Sequence, residues 1–229
     1  MDEYLSEKEQ IQQIRGWWRE NGPYIIAGLV IGVMGLISWN YWQDFKTTRA
    51  ENASVEYQSL IVAVNGGNKE AAGNHLETLR TDYPMTPYLA QGRLMMARLA
   101  AEQNDFAGAA EQLRSAMAET SDSELAHVAR TRLARVLLAM GDTEDALDVL
   151  ELSDAGVFAS RYHELRGDVF VHRGEMESAR EEYGQALSSA TAGVINTQEV
   201  QTKLDALAPA PSVTDEIVEE LLEEDDADS

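Results

Sequence analysis

The apolar stretch from Pro23 to Trp42 has 20 residues without a single charge and constrains the fold more than any other feature. As an α-helix with a rise of about 1.5 Å per residue, it would be roughly 30 Å long, which matches the hydrocarbon core of a bilayer. Aromatic residues flank it on both sides: Trp17, Trp18, Tyr24, Trp39, Tyr41 and Trp42. Such residues favour membrane interfaces because their rings are apolar and their N–H or O–H groups bind water. The stretch therefore predicts a transmembrane helix over residues 23–42, and the alternative is a long helix buried in a protein core.

The residues before this stretch differ from a cleavable signal peptide. Residues 1–22 carry five acidic and three basic side chains, whereas a signal peptide starts with a basic segment and ends in small residues. We therefore interpret residues 23–42 as an uncleaved anchor that crosses the lipid bilayer once. The leader has three Lys or Arg residues, and the 22 residues after the anchor have two, Lys46 and Arg49. This difference favours a cytoplasmic leader and an exported remainder.

Composition and short motifs exclude several classes of function. The net charge is −22, and such a surface repels phosphate, so nucleic-acid binding is excluded. The sequence has no Cys, which excludes disulfides and a thiol nucleophile. Its four His residues lack zinc-ligand spacing, and there is no phosphate-binding loop or dinucleotide-binding glycine set. We expect no catalytic residue, no cofactor and no metal site, and therefore a protein that is not an enzyme.

Three glycines in the apolar stretch, Gly28, Gly32 and Gly35, share one face of a helix. Two glycines four residues apart allow the backbone of another membrane helix to approach closely. We therefore predict that this face contacts another membrane helix. The alternative is that Gly is simply frequent in membrane helices.

A short motif recurs four times after residue 66. Each copy begins with a Gly or Asn and ends with an Ala, and the copies are residues 67–72, 104–109, 141–146 and 174–179. A Gly or Asn can end a helix with a positive φ, and an acidic residue favours the start of the next helix. The Ala, one turn later, is small enough for two helices to touch. The motif predicts a series of helical pairs.

This pattern resembles the tetratricopeptide repeat, a helix–turn–helix unit of about 34 residues, over roughly residues 53–192. The resemblance implies an all-α fold: a single N-terminal transmembrane helix followed by a tetratricopeptide-repeat-like α-solenoid over residues 43–207. Leu60 and Ser153 depart from the small residues of the pattern, so irregular units are expected. Thr197–Leu207 is expected to be a capping helix, and residues 208–229 are expected to be an acidic, disordered tail. The alternative is that the tail docks as a short amphipathic helix, because Ile217, Val218, Leu221 and Leu222 recur in it at helical spacing.

In tetratricopeptide units the first helix of each pair lines a concave groove. Counting from each turn places the following residues there: Gln91, Leu94, Met95, Arg98, Ala101, Val128, Thr131, Arg132, Arg135, Leu138, Arg161, Glu164, Leu165 and Asp168. Guanidinium groups beside flexible apolar side chains suit varied peptides, including acidic ones. The alternative is that these arginines pair with neighbouring glutamates.

The leader and anchor also resemble the YfgM family, the ancillary subunits of the bacterial SecYEG translocon. The resemblance rests on Glu9-Gln10, Trp17-Trp18, Glu20-Asn21-Gly22, Trp39-Asn40-Tyr41-Trp42, and Ala53-Ser54 with Tyr57. It implies an inner-membrane protein with residues 43–207 in the periplasm. It also implies contacts with SecYEG and the membrane-anchored chaperone PpiD, and a non-enzymatic adaptor role in passing newly exported client proteins to periplasmic chaperones. The alternative is a scaffold or regulator of an envelope stress response that acts through one fixed partner.

Overall fold

The computed structural model describes residues 7–151, 153 and 155–207. The chain divides into two compact units, Met1–Val55 and Glu56–Ser229. Residues 1–6 of the predicted leader and the predicted acidic tail at 208–229 lie outside the described residues.

The first helix, α1, spans Glu7–Asn65 and includes Pro23. In the part of the chain that the structure describes, it is the one helix long and apolar enough to cross a membrane. Only 6% of its most apolar window is buried inside the chain, and Leu29 and Ile31 are 69% and 71% exposed. A core helix would bury these side chains, so the alternative of a buried core helix is wrong. The helix continues beyond residue 42 to Asn65 without a break.

The second unit is built from the end of α1 and eight shorter helices among the described residues. These are α2 (Lys69–Asp82), α3 (Pro87–Glu102), α4 (Phe106–Glu119), α5 (Ser123–Met140), α6 (Thr143–Val149), α7 (Ala159–Arg173), α8 (Met176–Ser188) and α9 (Thr197–Ala206). Each of α2 to α8 packs against the helix that follows it, and α3 and α7 also pack against α5. The first helices of successive pairs therefore lie side by side, as in a solenoid. The predicted all-α architecture and the capping helix are confirmed.

The four predicted turns have the backbone conformation that their residues favour. Gly67, Asn104, Gly141 and Gly174 have φ values of 68°, 60°, 83° and 78°, which is the left-handed region that Gly and Asn tolerate best. After the first two turns, a side chain caps the next helix. Asn68 Oδ1 accepts a hydrogen bond from Ala71 N–H at 3.0 Å, and Asp105 Oδ1 accepts one from Gly108 N–H at 2.9 Å. These local contacts fix where each helical pair folds back.

The alanines that end the four motifs are fully buried: Ala72, Ala109, Ala146 and Ala179. The bulky residues four positions later are buried as well: Leu76, Leu113, Leu150 and Tyr183. Leu113 lies in a cluster with Leu94, Leu133 and Leu137, which joins α3, α4 and α5. The core therefore runs between the helical pairs, and the predicted role of the alanines is confirmed.

The third pair is irregular. Helix α6 ends at Val149, so Ser153 lies outside it, in a segment that passes through Gly156 at a φ of 50°. A 3-10 turn at Gly156–Phe158 then leads into α7. Ser and Gly have low helix propensity in this position, which explains why the helix stops early at the unit whose pattern departs from the repeat.

Candidate functional site

A cavity of about 290 Å³ lies between α3 and α5. Its lining residues are Leu94, Ala97, Arg98, Ala101, Leu113, Arg132, Arg135 and Val136. The lining combines apolar side chains from three helices with three guanidinium groups. A site of this composition can bury an apolar side chain and bind a carboxylate at the same time.

The three arginines of the cavity differ in their partners. Arg98 Nε donates a hydrogen bond to Glu102 Oε1 at 2.7 Å, so this arginine pairs with a neighbouring glutamate, as the alternative expected. Arg132 and Arg135 are exposed, and neither forms an ion pair with any carboxylate in the described part of the chain. Burial raises the pKa of Tyr57, and the charge of Arg132 offsets part of this rise. The cavity therefore offers two cations without a carboxylate partner among the described residues, within a protein of net charge −22.

The structure brings five of the fourteen predicted groove residues to this cavity: Leu94, Arg98, Ala101, Arg132 and Arg135. Five others lie on the same two helices outside its lining: Gln91, Met95, Val128, Thr131 and Leu138. Thr131 is buried, and its hydroxyl donates a hydrogen bond to Val128 O at 2.9 Å. Arg161 and Leu165 lie on α7, where Leu165 is buried with Leu150 and Tyr162.

Arg161 belongs to an ion-pair network that holds α9. Its Nη1 donates to Glu164 Oε2 at 2.5 Å, and its Nη2 donates to Val194 O at 2.5 Å. Lys203 of α9 donates to Glu164 Oε1 at 3.1 Å and to Asp168 Oδ1 at 2.8 Å. The groove positions of α7 are therefore occupied by contacts within the chain, and the open cavity is confined to α3, α4 and α5.

The repeat pattern does not predict three residues of the cavity, Ala97, Leu113 and Val136. The pattern assigns the groove to the first helix of each pair, whereas Leu113 belongs to the second helix of its pair. A signal for the cavity does exist in the sequence. Ala97 and Ala101 are four residues apart on α3, and two small side chains on one face leave space beside the next helix.

The glycine face of α1 is open. A Cβ atom added at Gly28, Gly32 or Gly35 would meet nothing within 4 Å. The face is therefore free of contacts from the described chain. No group of three or more His, Asp or Glu side chains within residues 7–151, 153 and 155–207 is arranged to hold a metal ion.

Comparisons with known proteins match most of this chain. A family model described as a tetratricopeptide repeat-like domain matches residues 15–209. The ancillary SecYEG translocon subunit of Aggregatibacter actinomycetemcomitans is 30% identical over 203 residues, which cover 89% of this chain and 98% of that protein. The protein of the same name from Escherichia coli K12 is 30% identical over 189 residues, 82% of this chain and 91% of that protein.

A solved structure of MamA from Desulfovibrio magneticus RS-1 is similar with a TM-score of 0.47 at 18% identity, over 69% of this chain and 94% of that chain. The family model and the two relatives extend over most of the sequence. The chain belongs to the family of ancillary SecYEG translocon subunits, and it contains a tetratricopeptide repeat-like domain.

Proposed function

We propose that this chain is a non-enzymatic adaptor, tethered to the inner membrane at the SecYEG translocon, that passes newly exported proteins to periplasmic chaperones. The observation that carries the proposal is the cavity between α3 and α5, where Arg132 and Arg135 stand beside the apolar side chains of Leu94, Leu113 and Val136. The names of the relatives support the location at SecYEG. The membrane-anchored chaperone PpiD is the partner to which we assign the transfer of clients.

The cavity is suited to brief contacts with many different chains. An unfolded exported protein presents apolar side chains, and a cavity of about 290 Å³ has room for one or two of them. The arginines add affinity for nearby carboxylates. Each contact is weak, but a membrane tether holds the cavity at a high effective concentration near the emerging chain. Weak contacts therefore suffice for transfer.

The anchor supplies the second contact in this proposal. At Gly28, Gly32 and Gly35 an added Cβ would meet nothing within 4 Å, and the absence of a side chain at these three positions permits another helix to pack closely. We assign this face to a membrane helix of SecYEG. The tether then positions the helical repeats beside the channel.

The proposed orientation places the N-terminus in the cytoplasm and residues 43–207 in the periplasm. Protease added to spheroplasts should therefore degrade the second unit while leaving a fragment that contains the leader. Immunoblotting with antibodies against each end measures the outcome. If the second unit is degraded only after the membranes are permeabilised, it lies in the cytoplasm and the proposed orientation is wrong.

Reversing the charge of both Arg132 and Arg135 tests the client contact. We expect Arg132→Glu with Arg135→Glu to reduce co-purification of exported proteins by at least about ten-fold. Each lost charge-assisted hydrogen bond is worth about 1.5 kcal/mol or more, and 1.4 kcal/mol corresponds to a factor of ten in affinity. Quantitative mass spectrometry of proteins cross-linked to the chain in cells gives the ratio.

The matched control is Arg114→Glu with Arg173→Glu, which changes the net charge equally at two exposed positions outside the cavity. This control should retain client capture, and both double variants should keep the helical circular dichroism of the parent. Equal losses in the two variants would mean that overall charge, and not the cavity, governs the contact. Capture of one stoichiometric partner in place of many would favour a scaffold or stress-response regulator.

A further inference from the structure

The cavity between α3 and α5 has the chemistry of a site for an acidic and apolar segment. Arg132 and Arg135 form no ion pair with the carboxylates of residues 7–151, 153 and 155–207, although the chain has 40 acidic residues in all. The apolar walls beside them are formed by Leu94, Leu113 and Val136. A segment that carries carboxylates next to bulky apolar side chains would satisfy both parts of the lining.

The sequence of this chain contains such a segment near its C-terminus. Residues 214–229 include nine acidic side chains and no basic one. Ile217, Val218, Leu221 and Leu222 recur among them at the spacing of one helical face. Runs of like charge ordinarily lack bulky apolar residues, because such runs stay solvated. The four bulky apolar residues within this acidic run would be removed from water if the segment packed against an apolar surface.

The connection is long enough for this segment to reach the cavity. Lys203 of α9 contacts Glu164 and Asp168 of α7, and α7 packs directly against α5. At about 8–10 Å between packed helices, α9 lies about 20 Å from α5. Residues 208–216 can span about 30 Å when extended. The acidic segment can therefore arrive at the cavity of its own chain.

We propose that residues 214–229 dock in the cavity between α3 and α5 of the same chain. Carboxylates of the segment pair with Arg132 and Arg135, and its apolar side chains lie against the apolar walls. The segment thus competes with any other ligand of the cavity and sets the affinity threshold that this ligand must exceed. The inference goes beyond the proposed function, because it requires only the cavity and the segment.

The length of the linker at residues 208–216 determines how strongly the attached segment competes with a ligand added in solution. A short linker gives an effective concentration of about 1 mM. If the separate segment binds the open cavity with a Kd of about 100 μM, the attached segment occupies it about nine-tenths of the time. A copy of the segment added in trans should then bind the full chain about ten-fold more weakly than a chain without the segment.

The test uses the full-length protein in detergent and a variant that lacks residues 212–229. The probe is a fluorescein-labelled synthetic peptide of residues 212–229, and fluorescence anisotropy measures its Kd. We expect binding to the shortened variant and about ten-fold weaker binding to the full chain. This comparison needs no substitution in the helical repeats, so misfolding cannot produce the expected result. Equal affinities for the two proteins, or binding to neither, would overturn the proposal.

Substitutions then locate the site. In the shortened variant, Arg132→Glu with Arg135→Glu should weaken peptide binding at least about ten-fold, whereas Arg114→Glu with Arg173→Glu should leave it unchanged. A peptide in which Ile217, Val218, Leu221 and Leu222 are all replaced by Ser should also bind at least about ten-fold more weakly. If the two double variants weaken peptide binding equally, overall charge and not the cavity attracts the peptide, and the proposed site is overturned.

The alternative is that the acidic segment of one copy of the chain docks in the cavity of a second copy. Light scattering after size exclusion should give the same protomer number for the full chain and the shortened variant. If only the full chain forms a dimer, the segment docks between copies, and the proposal of docking within one chain is overturned.

Discussion

Replacing Lys203 with Met should lower the free energy of unfolding of the second unit by about 2–3 kcal/mol. Lys203 joins α9 to Glu164 and Asp168 of α7, and the side chains of Lys203 and Glu164 are 27% and 3% exposed. Removing one member of a buried ion pair leaves a charge without compensation, which typically costs 3–5 kcal/mol. We expect a smaller value because Arg161 remains beside Glu164. Chemical denaturation followed by circular dichroism measures the change.

The matched control for this substitution is Lys69→Met. Lys69 Nζ lies 2.7 Å from Asp105 Oδ2, but these side chains are 54% and 39% exposed, and exposed pairs are screened by water and salt. The control should therefore change stability far less. Similar losses in the two variants would mean that burial does not set the strength of the network around α9.

The same network gives the second unit a defined dependence on pH. Burial acts to lower the pKa of Lys203, but the hydrogen bonds and charges of Asp168 and Glu164 outweigh it and raise this pKa above 10.5. Burial and the hydrogen bond to Asp168 also raise the pKa of Tyr183 above 10.0. When the pKa of a group is higher in the folded state than in the unfolded state, the group stabilises the fold. This stabilisation is complete at pH values below the pKa of the unfolded state and is lost as the pH rises through the pKa of the folded state. Stability should therefore fall above about pH 10, and less steeply in Lys203→Met.

Gly167→Ala is expected to have the second large effect, a loss of about 2–3 kcal/mol. A Cβ atom at this position would lie 2.4 Å from Cε1 and 2.5 Å from Cδ1 of the Tyr183 ring. The ring is buried, and its hydroxyl donates to Asp168 Oδ1 at 2.7 Å. The ring must move to admit the methyl group, and overpacking of this kind costs about 1–3 kcal/mol before the loss of the hydrogen bond. Thermal unfolding followed by circular dichroism measures the change.

Gly184→Ala is the matched control for the steric argument. Gly184 lies within α8, and an added Cβ would meet nothing within 4 Å. Alanine has the higher helix propensity, so this variant should gain up to about 1 kcal/mol. Opposite signs for the two Gly-to-Ala changes are expected, and a loss in both would contradict the role of close packing at Gly167.

Local chemistry explains why the helical pairs could be predicted from the sequence. The turns at Gly67, Asn104, Gly141 and Gly174 depend on the residue at the turn itself, since Gly and Asn accept a positive φ. The buried alanines follow each turn at a fixed distance. The apolar anchor likewise depends only on its own length and composition. Features that depend on one continuous segment of the chain can therefore be predicted from the sequence.

Contacts between distant residues explain what the sequence did not reveal. Lys203 pairs with Glu164 across 39 residues, and Arg161 donates to the carbonyl of Val194 across 33 residues. These contacts occupy the α7 part of the predicted groove, and the repeat pattern contains no sign of them. Arg132 and Arg135 line the cavity and form no ion pair with the described carboxylates, and this too depends on which helices α5 packs against. Such features follow from helix packing and need the structure.

Photo-crosslinking in intact cells tests the central claim most directly. A photoreactive amino acid is placed at Ala101, which lines the cavity, and separately at Ile31, which lies next to the glycine face of α1. We expect the Ala101 probe to capture many exported proteins, each at low yield, and the Ile31 probe to capture a SecYEG subunit. A probe at Arg114, on the exposed side of α4, should capture far fewer exported proteins. Capture of no exported protein from Ala101, or equal capture from Ala101 and Arg114, would contradict the account.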